Sequence, residues 1–368
     1  MNKFAFGLMR LPLNSEDYAD IDQAQFQEMA DLYMEAGGTY FDTAYPYHMG
    51  NSETAFREAV VRRYPRDRFT VTDKLPMFMI RRAEQMPEIF DEQLERCGVD
   101  FFDYYWLHAL TASAYETVQK IDAFGFIEKK KKEGKIRRIG FSFHDTPEVL
   151  DKILTEHPET EFVQLQINYL DWNDPSIQAK NCYDVATAHH VPVMVMEPVK
   201  GGTLVRLPET AETLLKNLDP EMSNASWAIR FAASLENVER VLSGMSTVGQ
   251  MEDNISFMKD FQPLSDKETD ALMKVAEIIR ENIAIPCTAC RYCEEGCPKN
   301  IAIPDYFAIY NNLKSTGASQ QIYYMNLTET HGKASDCVKC GQCEKVCPQH
   351  LPIRDYLEDV AKELEVEF

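Results

Sequence analysis

The C-terminal part of the chain carries two copies of one cysteine spacing, and no other feature restricts the fold so strongly. The first copy is Cys287-x2-Cys290-x2-Cys293-x3-Cys297-Pro298. The second, Cys337-x2-Cys340-x2-Cys343-x3-Cys347-Pro348, follows at a shift of 50 residues (337 − 287). The match continues past the cysteines, with Ile303-Pro304-Asp305-Tyr306 against Ile353-Arg354-Asp355-Tyr356. Ten cysteines are present and these copies hold eight of them. Secreted disulfide scaffolds are short and spread cysteine throughout. Cysteines this lopsided and this closely spaced point instead to metal ligation in a reducing compartment.

Each copy fits the C-x2-C-x2-C-x3-C-P run of bacterial ferredoxins, in which the fourth cysteine ligates the other of two clusters. Three thiolates two residues apart wrap three irons of a cubane, and the cysteine before proline points away. The spacing therefore predicts two [4Fe–4S] clusters. Cys287, Cys290, Cys293 and Cys347 would hold one, and Cys337, Cys340, Cys343 and Cys297 the other. Structural zinc prefers separated cysteine pairs and has no use for the extra positions. Between the copies, apolar residues at 3–4 spacing predict a helix over 305–314, and a second is expected over 320–327. Residues 285–368 thus read as a mainly α-helical ferredoxin-like domain. Cys97 and Cys182 have no such partners and read as ordinary buried thiols.

The rest of the chain alternates strand and helix. Strand candidates are 4–9, 40–42, 69–74, 104–108, 139–142, 162–167, 193–196 and 241–243, with helix-like stretches such as 22–36, 53–61, 83–97 and 148–156 between them. Strict alternation implies parallel strands. Eight units in about 260 residues predict an α/β fold, a closed (β/α)8 TIM barrel over 1–262 whose site lies on the loops after the strand ends. A connecting helix is expected over 263–284. A doubly wound sheet would want Gly-x-Gly-x-x-Gly after the first strand, and none is there.

A net charge of −21 argues against a nucleic-acid partner. The basic run Lys129–Lys132 reads as the solvated end of a helix. No apolar run reaches the ~18 residues of a membrane-spanning helix, and Met1–Arg10 has no leader pattern. A cytoplasmic protein without a membrane partner is the expectation.

Polar residues stand where a barrel puts its chemistry. Asp42 ends the second strand, Tyr47 follows in its loop, Lys74 ends the third and His108 the fourth. The segment Gly38-Thr-Tyr-Phe-Asp42-Thr-Ala-Tyr45-Pro-Tyr47 with Gly50-Asn-Ser-Glu53, the lysine strand Val71-Thr-Asp-Lys74 and the histidine strand Asp103-Tyr-Tyr-Trp-Leu-His108 resemble the aldo-keto reductase family. So do Ile139-Gly-Phe-Ser142, Val163-Gln164-Leu-Gln166-Ile-Asn168 and Leu242-Ser-Gly244-Met-Ser246-Thr.

The resemblance implies an NAD(P)H-dependent oxidoreductase that reduces a small-molecule carbonyl substrate. Tyr47 would be the general acid. A free tyrosine has a pKa of about 10, so a cation, Lys74, is expected to favour its ionised form, with Asp42 holding the lysine. His108 would orient the carbonyl. Ser142 and Gln164 would hold the nicotinamide carboxamide and Met196 would pack on its ring, where many relatives have tyrosine. The loop of Pro198, Lys200, Gly201 and Gly202 would approach the diphosphate. Gly244, Ser246, Gln250 and Asn254 would line the adenosine side. Gly244 and Gln250 occupy places where many relatives put a lysine and an arginine against the 2′-phosphate, so NADP rests on family habit and NAD stays open. Trp106, Trp172, Tyr45 and Phe143 are candidates to line the substrate pocket. Two other functions compete with carbonyl reduction: electron transfer between nicotinamide and a ferredoxin or flavoprotein partner through the clusters, and a non-enzymatic redox sensor.

Overall fold

Eight short strands run parallel and close in sequence order into a barrel. They are β1 Phe4–Gly7, β2 Tyr40–Asp42, β3 Thr70–Leu75, β4 Phe102–Leu110, β5 Ile136–Phe143, β6 Phe162–Gln166, β7 Val193–Met196 and β8 Val238–Gly244. Gly7 of β1 pairs with both Asp42 of β2 and Gly244 of β8, which completes the ring. This computed structural model describes residues 1–174, 177–281, 284–285, 287, 291–316, 321–347 and 349–365. Cys290, Gln320 and Pro348 lie outside them.

The helices of the first 281 residues are α1 Gln23–Glu35, α2 Ser52–Phe56, α3 Gln85–Cys97, α4 Ala112–Lys120, α5 Ala123–Lys132, α6 Pro147–Glu156, α7 Ala179–Ala188, α8 Glu209–Lys216, α9 Asn224–Ser234, α10 Val248–Met258 and α11 Asp266–Glu281. α1 shows why such segments are helical. Asp22 caps it by accepting the Gln25 N–H at 3.0 Å, and Phe26, Met29, Ala30 and Tyr33 recur on one buried face. Inside the barrel, Ala5, Tyr40, Trp106, Phe162, Met194 and Leu242 form an apolar layer from six strands. The barrel is therefore a packed core whose chemistry sits at its mouth. Trp106 belongs to this layer and is fully buried, its ring centre 5.3 Å from Lys74 Nζ.

By their contacts, Met1–Val205 and Leu218–Asp270 form one unit, and Arg206–Asn217 with Ala271–Phe368 a second. In the second, α12 Tyr292–Glu295, α13 Ile303–Thr316, α14 Gln321–Thr328, α15 Gln342–Lys345 and α16 Ile353–Leu364 follow α11. The sequence repeat is a structural repeat. Ile301 and Leu351, Ile303 and Ile353, Phe307 and Leu357, and Tyr310 and Val360 all enter one core. Backbone turns repeat as well: Arg291 and Gly341 are left-handed (φ 63° and 72°), and so are Asn300 and His350 (φ 50° and 52°).

Candidate active site and cysteine cavities

β2, β3 and β4 bring Asp42, Lys74 and His108 to one end of the barrel, and the loop after β2 folds Tyr47 over them. Lys74 is fully buried. An ammonium has three N–H donors. One goes to Asp42 Oδ2 at 2.8 Å and one to the Thr43 carbonyl at 2.6 Å, and the charge faces Tyr47. The Tyr47 ring centre lies 4.7 Å from Lys74 Nζ and 6.1 Å from the His108 ring centre. Removing one partner of such a buried pair strands the other, at about 3–5 kcal/mol.

Electrostatics set the protonation states. Burial works against the Lys74 charge, but Asp42 and then Tyr47 outweigh it and hold the ammonium above its ordinary range. Burial also raises the Tyr47 hydroxyl, and the opposing pull of Lys74 does not cancel it. Lys74 acts in the direction the sequence suggests, towards ionisation, and burial acts against it. His108 falls well below the ordinary imidazole range, from burial first and Lys74 second. It is therefore neutral near pH 7.

The Tyr47 loop is held by a residue the sequence reading passed over. His48 is buried, accepts the Leu11 N–H at 3.1 Å through Nε2, and bonds the Tyr18 carbonyl through Nδ1 at 2.9 Å. His48 and Met49 are both left-handed (φ 53° and 55°), a conformation non-glycine residues hold only when their surroundings fix it. Behind β3, Asp73 Oδ1 accepts the Lys74 N–H at 2.8 Å and Gln93 donates to the Lys74 carbonyl at 3.0 Å, which pins this strand from outside.

The β4–β5 register slips between Leu107 and Leu110, where Ala109 is left-handed (φ 59°). Such bulges re-aim side chains beside active sites. The N–H freed at Ala109 is accepted by Ser142 Oγ at 2.7 Å. Ser142 pairs with Gln164 across β5 and β6, and Gln166 with Met196 across β6 and β7, so these four residues follow the mouth round.

Pro198 is buried, and beyond it the loop after β7 turns through Gly201 and Gly202 (φ 62° and 98°), leaving backbone without side chains. Lys200 Nζ is bound to Asp171 Oδ1 at 2.7 Å, and Asp171 also accepts Gln166 and Asn168. After β8, Ser246 N–H donates to Gln250 Oε1 at 2.7 Å and Asn254 donates to Ser243 Oγ at 2.7 Å.

Candidate pocket residues divide. Tyr45 turns to α3, donating to Glu92 at 2.9 Å beneath the Arg96 guanidinium. Trp172 packs on Tyr183 and Phe231, and Phe143 is buried near Phe141. Phe78, which the sequence reading missed, stands 5.6 Å from the His108 ring and is half exposed. Met9, Tyr18, Met49 and Met79, on the loops after β1, β2 and β3, are likewise exposed.

Two small cavities lie in the second unit. Cys287, Cys293 and Cys347 line one, and Cys297, Cys337, Cys340 and Cys343 line the other. The last cysteine of each copy thus faces the cavity of the opposite copy. Cys297, Cys337, Cys340, Cys343 and Cys347 are in no disulfide. Backbone donors also reach the sulfurs: Ile301 N–H points at Cys297 Sγ at 3.5 Å.

A parallel barrel with a Tyr–Lys–Asp–His group at its mouth, joined to a helical unit with two cysteine-lined cavities, defines a redox enzyme of the barrel-reductase class. The aldo/keto reductase family profile matches residues 3–277, so the chain belongs to that family, whose members are NAD(P)H-dependent oxidoreductases. A 4Fe-4S dicluster domain matches residues 286–351. The barrel is similar to the NADH-specific methylglyoxal reductase of Escherichia coli (strain K12), 22% identical over 302 residues, covering 71% of this chain and 90% of that protein. It is also similar to the L-galactose dehydrogenase of Arabidopsis thaliana, 25% identical over 258 residues, covering 63% and 78%. Among solved structures it shares its fold with aldo-keto reductase AKR11C1 from Bacillus halodurans (holo form), with a TM-score of 0.59 and 24% identity over 74% of this chain and 91% of that one. No helix is long and apolar enough to cross a membrane among the described residues.

Proposed function

We propose that this chain reduces a small carbonyl compound at the barrel mouth with NADPH or NADH, and that its second unit holds two [4Fe–4S] clusters. The observation that carries the first part is the Lys74 ammonium, which binds Asp42 at 2.8 Å and lies 4.7 Å from the Tyr47 ring centre, beside a neutral His108.

When bound, the nicotinamide supplies a hydride to the carbonyl carbon. The carbonyl oxygen then gains negative charge and takes the proton of the Tyr47 hydroxyl, which leaves an alcohol. Lys74 stabilises the tyrosinate that remains, and Asp42 keeps Lys74 charged and in place. The neutral His108 donates a hydrogen bond that positions the carbonyl oxygen. Ser142 Oγ spends an acceptor position on Ala109, so its hydroxyl proton is left to donate to the carboxamide, with Gln164 alongside. The bare Gly201–Gly202 turn lets a diphosphate approach the backbone. NADP is favoured by family habit. Phe78 and the exposed methionines suit a substrate with an apolar group beside its carbonyl.

The cysteine sets suit the clusters, because a cubane needs four thiolates and the cavities gather three and four of them, with Cys290 outside the described residues. Cys287, Cys290, Cys293 and Cys347 would hold one cluster and Cys297, Cys337, Cys340 and Cys343 the other, each exchanging single electrons when assembled. One observation favours a second reading, electron transfer to a ferredoxin or flavoprotein. Cys340 is exposed beside the exposed Val338, so the second set reaches the surface.

The test of the catalytic part is Tyr47→Phe assayed against a panel of aliphatic and aromatic aldehydes. Reduction should fall by about 10²- to 10⁴-fold, the usual worth of a positioned proton donor, while NADPH still binds. Full activity in the variant would remove Tyr47 from the mechanism.

A further inference from the structure

From Gly244 to Gln250, at the end of β8 and into α10, the chain carries no lysine or arginine. A cation reaches this place from the other end of the chain. Arg10 closes the short turn Leu8–Arg10 that follows β1. Its stem lies over Gly244, where an added Cβ would come within 3.3 Å of both Arg10 Cβ and Cδ. Its guanidinium extends to Gly201, where an added Cβ would come within 3.3 Å of Arg10 Nη2. The backbone is tied into the same loop, for Ser246 Oγ donates to the Arg10 carbonyl at 2.8 Å.

The neighbouring charges make Arg10 the available cation. Lys200, on the loop after β7, is neutralised at 2.7 Å by the nearly buried Asp171. Arg10 has a looser partner, Glu197 Oε1 at 3.8 Å, beyond hydrogen-bond range, and its side chain is 48% exposed. Glu197 is left-handed (φ 55°), so the chain holds this carboxylate at the mouth in a conformation that its surroundings must fix.

We infer that Arg10 binds the phosphoryl oxygens of the dinucleotide, and that Gly201 and Gly244 are bare because it needs the room. This rests on the nicotinamide reading above. A planar guanidinium with paired donors suits phosphate oxygens better than a lysine does. Glu197 holds the guanidinium over the two glycines and competes with the phosphate for it. The diphosphate bridge and the 2′-phosphate offer the same chemistry.

The test is the affinity of the full-length, cluster-loaded protein for NADPH and for NADH, followed by tryptophan fluorescence, in wild type, Arg10→Met, Arg10→Lys, Gly244→Val and Glu197→Gln. Arg10→Met should weaken binding by about ten- to hundredfold, the worth of a hydrogen bond to a charged group. Arg10→Lys should recover part of this. Gly244→Val, which displaces Arg10 without removing it, should reproduce the loss. Glu197→Gln should tighten binding. Equal loss for both nucleotides assigns Arg10 to the diphosphate, and loss for NADPH alone assigns it to the 2′-phosphate. Wild-type affinity for both in a folded Arg10→Met protein overturns the inference. A wild-type protein that binds neither nucleotide overturns the nicotinamide reading instead.

Discussion

Ser142 Oγ accepts the backbone N–H of Ala109 at 2.7 Å, so one hydroxyl on β5 satisfies the bulge on β4 that aims His108 into the mouth. Ser142→Ala should strand this N–H in a part-buried place. The expected loss is about 1–3 kcal/mol of stability, read by chemical denaturation, together with weaker carbonyl reduction because His108 is less firmly aimed. Ser142→Thr, which keeps the acceptor, should retain most of both.

Asp73 gives a prediction in pH. Burial first, and then Glu53, raise its carboxyl well above the usual value of 3.8, and burial raises Glu53 above 4.5. Groups raised by folding stabilise the fold when protonated. Their contribution is complete below the unfolded values and is lost as pH rises through the folded ones. Asp73→Asn keeps an oxygen for the Lys74 N–H and cannot ionise. Its unfolding midpoint should therefore gain on wild type as pH rises above about 4, in parallel thermal scans. A constant difference across the range would show that Asp73 is not a protonated buried acid.

The crossed cysteine sets predict a distinctive pattern of iron loss. Cys297→Ala and Cys340→Ala should each leave about half of the roughly eight irons that two clusters bring. The double variant should leave the same half, because both residues line one cavity. Combining Cys297→Ala with Cys293→Ala should remove nearly all the iron. If instead Cys297 and Cys293 behave as one set, the crossing is wrong.

Much of this architecture was legible because period and spacing are local. β2 and β7 fall on the expected 40–42 and 193–196, and both runs carry enough apolar or β-branched residues to mark strands. β1 stops at Gly7 rather than running to Met9, because the chain turns there to lay Arg10 over Gly244. No alternation pattern reports such a turn. The bulge at Ala109 was unreadable, since alanine gives no hint of a positive φ. The sequence offers Tyr45 to the pocket, but Glu92 and Arg96, some fifty residues on, claim it for the outside. Arg10 was silent for the same reason: its partners, Gly201 and Gly244, lie far along the chain.

The most direct test of the central claim is where the hydride goes. NADPH deuterated at C4 should be turned over with an aldehyde substrate under anaerobic conditions, and the products examined by mass spectrometry and NMR. Carbonyl reduction at Tyr47 predicts deuterium on the carbinol carbon, one per alcohol formed. Deuterium released to solvent while the iron–sulfur clusters become reduced, with no labelled alcohol, would contradict it and make the cysteine domain the route by which the electrons leave.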